Sequence, residues 1–129
     1  MPLVTGSKGS HALTVTPDIA INFLGPENGR VLGTPFLILH LEMASRNLAF
    51  PHLDPGFDTV GTLVNIRHLA APPLGMQATF HSEILSVEDR RITFKVEAYD
   101  EREKIAEGLH ERAIVNVERF AARVQAKRG

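Results

Sequence analysis

The chain has 129 residues, 43% hydrophobic and 22% charged, with 14 Lys and Arg against 15 Asp and Glu. That length suits one domain with a core of useful size, and the near-neutral balance excludes a general attraction to nucleic acid or an anionic membrane. Cysteine is absent, which excludes disulfides, thiolate metal sites and a cysteine nucleophile together.

Met1 to Ser10 has Lys8 as its one charge and no apolar stretch of a signal peptide. No segment reaches the roughly 18 to 20 apolar residues that span a bilayer. A cytoplasmic protein of one domain is expected, with its core over about residues 11–120 and flexible tails at both ends. His11 to Thr16 alternates and is rich in β-formers, so it is read as a first strand. Thr16-Pro17-Asp18 is a helix-start pattern, and a short helical turn is expected over Pro17 to Asn22. Gly25-Pro26-Glu27-Asn28-Gly29 is a loop by composition.

Thr34-Pro35 is a second helix start. The run from Phe36 to Phe50 has neither Gly nor Pro, and its apolar residues lie nearly all round the helix. Such a helix should be wrapped by protein on most sides, and Pro51 ends it. From Thr59 onward the period changes to two. Four strands are expected: Thr59 to His68, Met76 to Val87, Arg91 to Tyr99, and Ile105 to Val117. The closing Glu118 to Gly129 reads as weakly helical and basic.

One strand, one long apolar helix and four closely connected strands make an α+β chain with an antiparallel sheet. A sheet curved around one central helix is the hotdog fold. Such a sheet has edges, and a chain this short commonly pairs one with a second copy. A homodimer is expected, with tetramers as a further pairing.

Several short pieces resemble the fluoroacetyl-CoA thioesterase-like branch of hotdog thioesterases. They are Thr34 ahead of the helix, His40-Leu41-Glu42-Met43-Ala44 within it, Val60-Gly61-Thr62, and Arg67-His68-Leu69-Ala70-Ala71-Pro72-Pro73. Gly108-Leu109-His110-Glu111-Arg112-Ala113 and Glu118-Arg119-Phe120 complete the set. The resemblance spans roughly Val31 to Phe120 and rests on the order and spacing of these pieces.

It implies an acyl-CoA thioesterase in which Thr34, Glu42 and His68 act together on the thioester. It also implies substrate-binding positions at Gly61 and Arg112. The CoA thioester is the expected substrate, with no cofactor and no metal. The family carries aromatic residues before the long helix that close over a small acyl group. Gly25 to Gly33 contains none, so the acyl group is left open.

Thioester hydrolysis needs a nucleophile, a base and donors for the oxyanion. A carboxylate at Glu42, inside an apolar helix, is costly unless paired. It either serves as base or nucleophile, or lies on an exposed stripe, or pairs with Arg46 at i+4. His68 can exchange a proton near neutral pH; the structural alternative is an ordinary strand-end histidine. Thr34 is a helix cap, a catalytic hydroxyl, or both.

Eight helical residues span roughly 12 Å, so Thr34 and Glu42 cannot touch on one straight helix. They flank a substrate or belong to different subunits of a composite site. Gly61 marks a close backbone approach or a bend. Arg112 reaches a CoA phosphate or forms a strand-face salt bridge. His40, His52, His81 and His110 have no metal-binding spacing. Two other functions compete: a non-catalytic acyl-CoA-binding protein and, less favoured, a hotdog hydratase, whose Asp–His pair has no counterpart here.

Overall fold

The computed structural model describes residues 2–129. Strand β1 (Lys8–Thr14) leads through two 3-10 turns into helix α1 (Thr34–Ala49). Then follow β2 (Phe57–His68), β3 (Gln77–Glu88), β4 (Arg91–Tyr99), β5 (Lys104–Asn116) and helix α2 (Val117–Lys127). The strands form one antiparallel sheet in the order β1-β3-β4-β5-β2. No helix is long and apolar enough to cross a membrane among the described residues.

The period of two buries one face of β4 along its whole length and the same face of β3 from Ala78 to Ile84. Phe80, Ile84, Ile92, Phe94 and Val96 meet Leu37, Leu41, Ala44 and Ala49 of α1 in one core. This is the curved sheet and long central helix of the hotdog architecture. The helix is covered on one side only: Leu39 and Met43 remain exposed on the other, as does Phe50 at its C-cap. Within a single chain, the expected wrapping of α1 is therefore incomplete.

β1 starts at Lys8, inside the segment that composition marks as a tail. Gly9 allows it, because a Cβ there would lie 3.2 Å from Leu48 Cβ on α1. Thr34 is not the cap of α1 but its first helical residue; Gly33 holds the cap position and no side chain caps the helix. Space at Gly33 is tight: a Cβ would stand 3.3 Å from the Phe36 ring and 3.4 Å from Ile21. α2 has a true cap, the Asn116 side chain accepting from the Arg119 N–H at 3.0 Å.

Candidate active site

Two clusters of polar side chains lie along α1. The first is at its N-terminal end, where Thr34 Oγ1 and His68 Nδ1 are hydrogen-bonded at 2.8 Å. Freed from capping, the Thr34 hydroxyl is available to the histidine at the end of β2. His68 Nε2 is buried without a hydrogen-bond partner, an unsatisfied group of the kind that clusters at functional sites. Burial lowers the His68 pKa, opposed in part by the Ala70 backbone, and so favours the neutral ring.

The second cluster is two turns further along. Arg112 Nη1 donates to Glu42 Oε2 at 3.3 Å. The Arg112 side chain is 8% exposed and that of Glu42 33%. The same guanidinium donates through Nε to Thr59 Oγ1 at 2.7 Å and through Nη2 to the Thr59 carbonyl at 2.9 Å. Its pKa is lowered by burial, against the attraction of Glu42 and Asp58.

Gly61 completes this cluster. It pairs with Arg112 in the β2–β5 ladder, and the register shifts between Gly61 and Leu63. A Cβ at Gly61 would come within 2.6 Å of Glu42 Oε2. The carboxylate thus lies directly against strand backbone, an approach only glycine permits. The φ of Gly61 is not positive, so space and not backbone conformation demands it.

Glu42 does not pair with Arg46. That guanidinium grips Asp58 at 3.0 and 2.6 Å and lies 4.0 Å from the centre of the Phe50 ring. The partner of Glu42 comes from β5, far away in the chain. Glu42 is consequently one-third exposed to solvent on one side and held by a buried cation on the other.

Of the five residues singled out by sequence, the structure brings Glu42, Gly61 and Arg112 together and joins Thr34 to His68. It keeps the two groups apart within one chain, by the roughly 12 Å that eight helical residues span. Sequence reasoning missed His110, which is fully buried beside Glu42 and Arg112. The alternation of β5 held the signal: His110 and Arg112 share a face, so burial of one places the other. Among the described residues, no group of three or more His, Asp or Glu is placed to hold a metal. His11 Nε2 and His40 Nδ1 form a separate hydrogen bond of 2.7 Å linking β1 to α1.

Residues 15–118 match the family described as fluoroacetyl-CoA-specific thioesterase. A fluoroacetyl-CoA thioesterase of Streptantibioticus cattleyicolor is 34% identical over 128 residues, covering 95% of this chain and 92% of that protein. A solved structure of the fluoroacetyl-CoA thioesterase FlK superposes with a TM-score of 0.89 at 33% identity, covering 98% of both chains. A Thermus thermophilus protein described as a thioesterase superfamily member superposes equally well, at 0.89, with 28% identity over 98% of this chain and 94% of its own. The sheet, the helix and this degree of identity along nearly the whole length agree: the chain belongs to the fluoroacetyl-CoA-specific thioesterase family and is an acyl-CoA thioester hydrolase.

Proposed function

We propose that this chain hydrolyses a small acyl-CoA to the free acid and CoA at a site built from Glu42, Thr34 and His68. The observation that carries the reading is the Glu42 carboxylate, set against the Gly61 backbone and held by Arg112. A thioester carbonyl placed at Gly61 would present its carbon to Glu42, which either attacks it or draws a proton from an attacking water. Thr34 and His68 act on the sulfur side. With Nδ1–H donating to Thr34 Oγ1, the hydroxyl hydrogen is free to point at the departing sulfur, and the buried Nε2 takes no direct part. No cofactor takes part.

The two clusters serve one substrate if subunits pair through β2. That strand is a sheet edge of twelve residues, and Thr59 to Ile66 contains no charge and no proline to discourage pairing. Leu39 and Met43 on α1 and Phe50 just after it are exposed and apolar, as a helix covered by a second copy would be. The reading is therefore a homodimer with a composite site, in the cytoplasm.

The test is thiol release from fluoroacetyl-, acetyl-, branched and aromatic acyl-CoA. The fluoroacetyl member is included because a relative, as a variant, has been solved with fluoroacetate and CoA. Segment 25–33 has no aromatic residue to cover the acyl group, so the panel decides specificity. His68→Ala is expected to lower kcat by about 10² to 10⁴. Because the His68 pKa lies below its ordinary value, the neutral ring persists as pH falls through about 6.5, and its contribution is lost only at lower pH. No turnover on any ester would leave a binding protein, measured by its affinity for the same compounds.

Arg90, Arg119 and Arg123 line a cleft of about 520 Å³ with Phe57 and Ile114. Among the described residues, none of the three is ion-paired with a carboxylate. Phe57 lies four residues from Gly61, about 13 Å along the strand. These guanidiniums are suited to the phosphates of CoA. Replacing Arg119 and Arg123 together by Ala should raise KM for the CoA ester about tenfold. The KM for the same acyl group on a bare pantetheine arm should not change.

A further inference from the structure

His110 has no part in the chemistry above, yet it is the most enclosed titratable side chain near it, with 0% exposure. Its two nitrogens face opposite sides of the site. Nδ1 lies 2.8 Å from the Leu63 carbonyl, which accepts only, so Nδ1 carries the proton. Nε2 is then a bare acceptor, and Arg112 Nη1 donates to it at 3.2 Å. The Nη1 atom is the one that also holds Glu42 Oε2.

Leu63 closes the register shift that begins at Gly61. The ring stands close to Gly61 as well: its Cε1 would be 3.4 Å from a Cβ there. Phe94 stacks against it, with centroids 6.1 Å apart and planes inclined by 27°. Resting on the reading of Glu42 and Gly61 above, we infer that His110 is a positioning residue for the hydrolysis. One nitrogen pins the bulge that presents Gly61, and the other aims the guanidinium that holds Glu42.

The neutral ring is essential to this arrangement. A second proton on Nε2 would point at the Arg112 guanidinium at 3.2 Å, closer than the Glu42 carboxylate at 4.0 Å. Burial, with the Arg112 charge, holds the His110 pKa below its ordinary value against the Leu63 carbonyl and the Glu42 and Glu111 carboxylates. The tautomer is therefore fixed by the fold, and a strand bulge and a carboxylate on a different element are held in one register.

Three substitutions separate the two bonds. His110→Asn keeps a donor near the Leu63 carbonyl, His110→Gln keeps an acceptor near Arg112, and His110→Phe keeps neither while filling the space. Each is made alone and together with Glu42→Gln, and kcat, KM and the melting temperature are measured on the best acyl-CoA. The Phe variant should lose about 10² in kcat with KM nearly unchanged, and Asn and Gln should fall between it and the wild type. On the Glu42→Gln background, removing His110 should cost less than about threefold more, because both changes act through one carboxylate.

A folded Phe variant with wild-type kcat overturns the inference, and so do losses that multiply in full. If the Phe variant does not fold, wild-type kcat in both Asn and Gln overturns it, and a loss in both sustains it. Wild-type turnover in Glu42→Gln alone defeats the reading of the site itself, and this inference with it.

Discussion

Glu42→Gln should reduce thiol release by about 10³ or more while the protein stays folded. Glutamine keeps the size of the side chain and an oxygen that accepts from Arg112. It loses the negative charge, and with it the capacity to take a proton or to attack a carbonyl carbon. Arg112 keeps its two bonds to Thr59 and the attraction of Asp58, so its burial remains supported. The stability loss should be about 1 to 2 kcal/mol, because the carboxylate is one-third exposed and its pairing is weakened by solvent. Turnover within tenfold of wild type would remove Glu42 from the chemistry. Mass spectrometry of the wild type turning over in labelled water then separates its two roles. Label in the Glu42 carboxylate means attack through an anhydride that water opens at the glutamyl carbon, since direct attack by water leaves both carboxylate oxygens unlabelled.

Gly108→Ala is expected to cost more than 3 kcal/mol, or to leave the chain insoluble, beyond the usual cost of an extra core methyl. The added Cβ would meet the Asn65 carbonyl oxygen at 2.1 Å and Ile66 Cα at 2.8 Å. Both are backbone atoms of β2, held in the ladder by the pairs Asn65↔Leu109, Ile66↔Gly108 and Arg67↔Glu107. They cannot step aside without parting β2 from β5. Thermal unfolding should show a fall of about 10 °C or more; a fall of under 2 °C would mean that the strands separate easily. Gly61 differs in kind. Its nearest obstacle is the Glu42 carboxylate, the movable end of a side chain, so that glycine leaves room for the carboxylate and Gly108 protects the sheet.

The order of elements was readable from the sequence because each is dominated by its own period. β4 falls on Arg91–Tyr99 as expected, since its alternation is flanked by charged turns. The pairing of Glu42 was not readable. Local spacing nominates Arg46, but Asp58 offers that guanidinium two oxygens and leaves Glu42 to a residue 70 positions away. Thr34 shows the same limit. Thr-Pro is a capping pattern, and the helix nonetheless starts one residue earlier, with Gly33 at the cap position. Proximity to His68, 34 residues on, is a property of how β2 returns along α1. The short-range pattern carried the elements, and the long-range packing decided which polar groups meet.

β2 carries Gly61 and His68 and also forms an open edge of the sheet. Assembly on that edge would make specific activity depend on enzyme concentration, with curvature appearing on dilution and no effector required. It would also tie two kinds of selection to one strand. A substitution there that improved the fit between subunits would move Gly61 and His68, and one that tuned their surroundings would alter how tightly the subunits hold.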